Sequence, residues 1–390
     1  MATLSYKTAG ESHGRTLLAL VEGLPAGVTI DKPLIDAELK RRQGGYGRGG
    51  RQRIESDQVD ILTGVRRGQS TGAPVALQVV NKDSRLDETP AVYRPRPGHA
   101  DLAGSLKWLT TDCRETLERA SARETAARVA AGGLARCLLA AFGIRVLGFV
   151  TAIGSAKAQN IDLTNIDKLL ADRDASDVYC PDPAASEAMR AIIRQAKIDG
   201  DTVGGLCEVH VFGCPPGLGT CVQWDDRLDS RLACAVMGIQ AFKSVEIGLG
   251  KEVAFRPGSK VHDPIAYDPT LKATPSLGFV RESNNAGGIE GGMTNGQPVV
   301  VRGAMKPIAT LLQPLQSVDL NTKAPDKATY ERSDVCAVSA ASVVMEAVVA
   351  FEMARAMVEK FGGDSLTEMR ANYSSYLDLC RKLPFEVPRL

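Results

Sequence analysis

Between Leu117 and Gly143 the chain reads LERASARETAARVAAGGLARCLLAAFG, a helix-forming run in which most side chains after the first turns are small or apolar. Beyond Arg128 the only charged residue before Arg145 is Arg136. A surface helix would carry a polar face, so this one belongs inside, covered on most sides by other elements. Its alanines and glycines also let a second backbone come close. The start of the run, Arg119-Ala-Ser-Ala-Arg123, adds cations and a hydroxyl to the free N–H groups of a helix N-terminus, a combination suited to phosphate or another polyanion. The same segment also reads more plainly, with Ser121 as an N-cap and the arginines in surface ion pairs.

The remaining composition narrows the class. With 47 basic against 46 acidic side chains in 390 residues, nothing global points to nucleic acid or to an anionic membrane surface. Any electropositive feature has to be local. The first ten residues lack an apolar core of signal-peptide length, and the longest apolar run, 338–358, is interrupted by Glu346, Glu352 and Arg355. These features predict a soluble, cytoplasmic protein. The nine cysteines are scattered, and Cys207, Cys214 and Cys221 lack the paired spacing of a zinc site, so reduced, mostly buried thiols and no metal are expected.

Along the chain, a short strand at 4–7 runs into Gly10-Glu-Ser-His-Gly14, a turn presenting His13 between glycines. A helix N-capped by Asp31 leads to the basic, glycine-rich loop 41–53, where five arginines fall within thirteen residues. Such a loop suits wrapping round an anion. Strands are predicted at 59–65 and 73–80, and prolines hold Arg96 and His99 stiffly in the loop Arg94–Asp101. A strand is predicted at 145–153, helices near 164–172 and 184–198, a strand at 209–212, a helix over 229–242 and a long polar loop over 256–276. The glycine-rich stretch 284–296 precedes a strand at 299–302 and Lys306-Pro-Ile-Ala-Thr310. Arg332-Ser-Asp334 opens a long apolar helix ended by Gly362 and Gly363. Gly68-Gln-Ser-Thr-Gly-Ala-Pro-Val75 and Gly292-Met-Thr-Asn-Gly-Gln-Pro-Val299 share a G-x-x-x-G-x-P-V pattern, which suggests a possible internal pseudo-duplication.

Neither glycine-rich stretch passes a nucleotide test. There is no G-x-x-x-x-G-K-S/T and no G-x-G-x-x-G between strand and helix, which argues against P-loop kinases and Rossmann dehydrogenases. What remains is arginines in several loops, His13, His99, Asp334 and Lys306, an inventory suited to a multiply anionic substrate and acid–base chemistry. His210 and His262 read as structural. A non-catalytic phospholigand- or RNA-binding protein would explain the arginine loop but not His13, His99 and Asp334; a flavin oxidoreductase is the other enzyme alternative.

Three separated motifs, Gly10-Glu-Ser-His-Gly14, Glu118-Arg-Ala-Ser-Ala-Arg-Glu-Thr125 and Arg332-Ser-Asp-Val-Cys336, resemble those of the chorismate synthase family, over essentially the whole length. Two departures stand out: Ala120 where the family usually has serine, and Val335 where it usually has proline. The resemblance implies an α+β chain, residues 1–390 forming a single-domain β-α-β sandwich with helices packed between antiparallel sheets, assembled as a homotetramer. It implies a lyase of the shikimate pathway that removes phosphate from 5-enolpyruvylshikimate 3-phosphate by anti-1,4-elimination, with reduced FMN (FMNH2) and no net redox change. By motif, Arg42, Arg48, Arg51, Arg96 and Arg123 would bind substrate. Arg119, Ala120, Ser121, Gln240, Ala241, Gly291, Lys306, Pro307, Ile308, Ala309, Thr310 and Arg332 would hold FMN. His13 would protonate the leaving phosphate, His99 would sit against the reduced flavin, and Asp334 would assist removal of the substrate proton. If NADPH is the reductant, Arg42 and Arg48 are the groups to meet it.

Overall fold

The structure is a computed structural model and describes residues 3–50, 54–331 and 333–385. Arg51 and Arg332 lie outside the described residues.

Two antiparallel sheets are built from strands whose side chains alternate. In the first, Ser5–Ala9, Thr16–Glu22, Val75–Val80 and Asp60–Ile61 lie side by side in that order. Leu17, Ala19 and Val21 on the second strand and Val75, Leu77 and Val79 on the third all point to one buried face, as period-two patterning requires. The second sheet orders Phe242–Ile247, Val299–Met305, Gly205–Phe212, Arg145–Ile153 and Ala156–Lys157. Its inner face offers Cys207, Val209, Val211, Val299 and Val301.

Nine helices connect and fill the described residues: α1 (Lys32–Gln43), α2 (Asp101–Trp108), α3 (Arg114–Arg119), α4 (Thr125–Ala140), α5 (Ile166–Ala175), α6 (Pro183–Ile198), α7 (Leu228–Met237), α8 (Val338–Phe361) and α9 (Leu366–Cys380). Helix α4 packs against the first sheet, α8 against the second, and the two helices pack on each other. Thirteen of sixteen α4 residues and twenty of twenty-four in α8 are buried, which is why neither carries a polar stripe. Where they cross, a Cβ added at Gly132 would lie 2.5 Å from Ala347 Cβ and 2.6 Å from its Cα and carbonyl oxygen. Small residues are required there for backbone approach. None of the helices among the described residues is long and apolar enough to cross a membrane.

Several sequence expectations need correction. The run 117–143 is two helices rather than one: α3 ends at Arg119, Ser121 takes an extended conformation and caps a single 3-10 turn at Ala122–Glu124, and α4 begins at Thr125. The 229–242 helix stops at Met237, and Phe242 opens an unpredicted strand. Helices α2 and α9 also went unpredicted. The expected strand at 59–65 is split, ending at Ile61 before a separate two-stranded hairpin, Val65–Arg66 with Gln69–Ser70. The predicted polar loop 256–276 contains 3-10 turns and a short strand, Ile265–Tyr267.

The two G-x-x-x-G-x-P-V segments make the same bonds. Ser70 Oγ donates to the Pro25 carbonyl (2.6 Å) and accepts from Val28 N–H (2.9 Å), and Gly27 N–H donates to the Ser70 carbonyl (2.8 Å). In the second segment Thr294 Oγ1 donates to the Pro215 carbonyl (2.7 Å) and accepts from Leu218 N–H (2.9 Å), and Gly217 N–H donates to the Thr294 carbonyl (2.7 Å). Each segment then enters a strand antiparallel to the one before its Pro-x-Gly turn.

Candidate active site

The break between α3 and α4, the start of α8, and the segments after α7 and after strand Val299–Met305 surround a cavity of about 420 Å³. It brings together Arg42, Arg48, Arg96, Arg123, His99, Asp334, Ala120, Ser121, Gln240, Ala241 and the whole of Lys306–Thr310. Its apolar wall is made by Ala337, Ala340, Ala341 and Val344 of the α8 start, with Ile239 and Met305. The N-terminus of α8 carries no side-chain cap, so a helix start rich in free N–H groups stands at an anion-friendly cavity.

Glycine spacing in the arginine loop has a direct cause. Cβ atoms placed at Gly45, Gly47 and Gly49 would come within 2.7 Å of Ser339 Cβ, 3.2 Å of Cys336 Cβ and 2.8 Å of the Ser333 carbonyl oxygen, respectively. The loop runs tightly along residues 333–339, with every second residue a glycine. Val335 N–H and Cys336 N–H both donate to the Gly47 carbonyl, at 2.9 and 3.3 Å. Proline at 335 would lack the first of these donors, so the valine is compatible with the contact. This zipper sets Arg48 against Asp334: Arg48 Nη1 lies 2.9 Å from Asp334 Oδ2, while Asp334 Oδ1 accepts from Gly49 N–H at 2.6 Å.

Each remaining arginine is seated by a buried acceptor. Asp57 bridges two of them, taking Arg42 Nη2 at 2.8 Å and Arg123 Nη1 at 2.7 Å. Burial opposes the charge on Asp57, yet Arg42 and Arg123 together hold its carboxyl below the usual range. Burial likewise pushes Arg42 down to about 10, against the pull of Asp57 and with the neighbouring Arg123. Asn81 accepts from Arg123 Nε (2.8 Å), and its amide nitrogen donates to the carbonyls of Glu11, Ser12 and Gly14. One side chain thus ties a cavity arginine to the His13 turn. Asp101, fully buried, accepts from Arg96 N, Nε and Nη2 and from His99 Nδ1. Arg96 Nη1 also donates to Thr310 Oγ1 at 3.0 Å.

His13 opens on a second cavity, of about 350 Å³, which shares Arg96, His99 and Ser121 with the first. Ser121 and Ser12 meet at 3.2 Å between their hydroxyl oxygens, on the line between the two spaces. Arg119 lies outside both linings: its exposed guanidinium donates to the carbonyls of Gly10 and Thr8 and to Thr8 Oγ1. Gly291 is also away from them, in the tight turn of the hairpin Ile289–Glu290 and Met293–Thr294. Lys306 lines the first cavity, where burial and then the charge of Lys243 lower its pKa, and its ammonium donates to the Gly98 carbonyl. Ala241 takes a left-handed backbone (φ 69°) and accepts from Lys306 N–H at 3.0 Å. That unusual conformation for a non-glycine residue turns its backbone at the cavity wall.

Sequence reasoning missed Asp57, Asn81, Asp101 and Glu118, the groups that seat the arginines and histidines. Asp101 and Glu118 lie inside the quoted motifs, which was the available signal. His210 is structural, stacked between Phe149 and Phe212 and bonded to Glu208; His262 is exposed. Among the described residues no group of His, Cys, Asp and Glu is arranged to hold a metal ion.

Several cavity side chains carry buried polar atoms with no hydrogen-bond partner among the described residues: Arg42 Nε, Arg48 Nε and Arg123 Nη2, the last 3.6 Å from Glu55 Oε2, and the acceptor Gln240 Oε1. Unsatisfied polar atoms beside a cavity are a mark of a binding site. A flat alanine-rich wall with a lysine, a free amide oxygen and uncapped helix N–H groups fits a flavin with its phosphate tail. The arginines fit carboxylates and a phosphate.

The chain is similar to the chorismate synthase of Geobacter sulfurreducens, 55% identical over 393 residues covering 97% of this chain and 99% of that one. It is 53% identical to the chorismate synthase of Desulforamulus reducens, over 97% of this chain and 100% of the relative. A solved crystal structure of chorismate synthase superposes with a TM-score of 0.80 at 39% identity, covering 98% of this chain and 100% of that one. With the family model for chorismate synthase also matched across residues 4–358, the chain belongs to the chorismate synthase family.

Proposed function

We propose that the first cavity takes reduced FMN and 5-enolpyruvylshikimate 3-phosphate together, and that the chain eliminates phosphate across the substrate ring to give chorismate. The observation that carries this is that Arg42, Arg48, Arg96 and Arg123 line one cavity with Asp334 and an apolar wall, with Arg42 Nε and Arg48 Nε left without hydrogen-bond partners among the described residues. When bound, reduced FMN supplies transient electron density with no net redox change.

The protein's own residues do the rest. The guanidiniums of Arg42, Arg48 and Arg123 bind the carboxylates and phosphate in fixed forks and place the ring. Arg96 and His99, clamped by Asp101, line both cavities and would hold the substrate phosphate on the side toward His13. The breaking C–O bond leaves its electron pair on phosphate, and the His13 Nε2 proton neutralises it. The opposite C–H bond breaks toward Asp334, which accepts the proton, and the ring gains its second double bond. Gln240, Ala241, Lys306–Thr310 and the Ala120–Ser121 backbone hold the cofactor.

The stacking of α4 and α8 between the sheets supports a β-α-β sandwich, and the paired Ser70 and Thr294 bonds support two related halves. Exposed Leu18, Leu20 and Val80 on the outer face of the first sheet support assembly with further copies into a tetramer. The test is inorganic phosphate release by the purified chain in sealed, oxygen-free cuvettes, with chemically reduced or oxidised FMN. Many turnovers per reduced flavin and none with oxidised FMN are expected. One product per flavin, or equal rates with both forms, would refute the proposal.

A further inference from the structure

We infer that Glu118 is the positioning residue of His13: it holds the imidazole proton on Nδ1, so that Nε2 is the nitrogen that works on the substrate. This rests on the reading of His13 as the proton donor. Glu118 is on α3, its side chain 1% exposed, and it grips the Gly10–Gly14 turn at three points. Its backbone carbonyl accepts from Ser12 N–H at 3.1 Å, its Oε2 accepts from His13 N–H at 2.8 Å, and its two carboxylate oxygens lie 2.9 and 3.1 Å from His13 Nδ1.

A buried carboxylate that already takes a backbone N–H can only accept, so the ring nitrogen beside it must be the donor. Burial works against the charge on Glu118, but the His13 ring and backbone donors, with Arg114, hold its carboxyl below the usual range, so it stays ionised at neutral pH. The other face of the ring is different. Nε2 is 3.7 Å from Asp83 Oδ2, an ion-pair contact longer than a hydrogen bond, while Arg85 Nε is 2.9 Å from the other oxygen, Asp83 Oδ1. Nε2 therefore has no hydrogen-bond partner among the described residues, at a cavity that His13 and Asp83 both line. When the imidazolium gives its Nε2 proton to the departing phosphate oxygen, an N–H bond breaks and an O–H bond forms. The neutral ring left behind keeps its proton on Nδ1, toward Glu118, without turning over. The two Arg85 and Leu86 N–H bonds to the His13 carbonyl, both 3.0 Å, hold the backbone while this happens.

The test combines Glu118→Gln, His13→Ala and the double variant with long-range ¹H–¹⁵N spectra of histidine-labelled protein, in which His13→Ala identifies the His13 signal among the four histidines. In the parent the neutral ring should show the proton on Nδ1. Glu118→Gln should lower kcat about 10–100-fold with KM within twofold, and the His13 ring should become a tautomer mixture. Adding Glu118→Gln to His13→Ala should cost nothing further, because both changes remove one function. Glu118→Asp should recover part of the rate. A parent spectrum with the proton on Nε2, or an additive double variant, overturns the inference. The spectrum of the unmutated protein decides the point even if the variants fold poorly. Full turnover in His13→Ala would instead overturn the role of His13 itself, a distinguishable result.

Discussion

The most exposing perturbation of this site is Asp101→Asn, which changes one buried oxygen to an amide nitrogen without changing shape. Asp101 accepts four donors: Arg96 N, Nε and Nη2, and His99 Nδ1. Asparagine offers one acceptor oxygen, so about two of these donors would face an N–H₂ group instead. At roughly 1.5–3 kcal/mol for each hydrogen bond to a charged group, the loss is about 3–6 kcal/mol. That agrees with the roughly 3–5 kcal/mol for breaking one partner of a buried ion pair. Burial disfavours the Asp101 charge, yet the His99 and Arg96 bonds hold its pKa below the ordinary aspartate value of 3.8. A carboxyl with a lowered folded-state pKa contributes stability above its unfolded pKa and loses it as pH falls through the folded one. The parent-minus-variant difference should therefore be constant from pH 8 to about 5 and shrink only below about 4. Urea unfolding followed by far-UV circular dichroism gives the global difference, and hydrogen exchange across 94–101 gives the local one. A variant within about 1 kcal/mol of the parent, with unchanged exchange in that loop, would refute the claim that Asp101 anchors Arg96 and His99.

Three further outcomes are expected. His13→Ala should lower turnover about 10²–10⁴-fold with an unchanged far-UV spectrum, read by phosphate release. Gly132→Ala should be destabilising by up to about 2 kcal/mol in urea, because an added Cβ meets the Ala347 backbone and roughly 1–3 kcal/mol of overpacking offsets or outweighs the helix-propensity gain of about 1 kcal/mol; a more stable variant would show that the helices can separate freely. With a thiol reagent at pH 8, only the exposed Cys221 and Cys234 and the half-buried Cys380 should react before unfolding. The six buried thiols should wait for denaturant, burial having pushed Cys214 up to about 12 and Cys336 up to about 11.

Much of the site was legible because its residues are exceptional where they stand. Two histidines in proline- or glycine-bound turns and an arginine-dense loop are unusual for packing alone, and nine residues from Ala120 to Thr310 named from motifs for the cofactor meet in one lining with His99, Asp334 and four arginines, Arg42 and Arg48 of that loop together with Arg96 and Arg123. The partners were not legible for the opposite reason. Asp57 looks in sequence like any solvated carboxylate, the motifs around Glu118 and Asp101 do not say what those two bind, and only the fold shows that each is buried against a cation. The broken helix at Ala120–Ser121 was hidden too, since alanine, serine and arginine are compatible with continuing α3 into α4. What interrupts it is tertiary: the segment bends to line the cavity, and Ser121 bonds Ser12 across the chain.

The near-zero net charge, which argued against a polyanion partner at the level of the whole chain, is reconciled within the cavity itself. Asp57 serves both Arg42 and Arg123, Asp334 serves Arg48, Asp101 serves Arg96, and Lys306 is paired only with a carbonyl. Each carboxylate fixes a guanidinium's position without saturating it, because a guanidinium has five donors and a carboxylate in this geometry takes one or two. The donors left over are buried ones, on Arg42 and Arg48, while Arg123 Nη2 lies 3.6 Å from Glu55. Removing Asp57 should therefore not simply strengthen anion binding by raising the positive charge. It would free Arg42 and Arg123 to repel each other and lose the preset spacing, and affinity for a ligand with fixed carboxylates depends on that spacing more than on the number of charges.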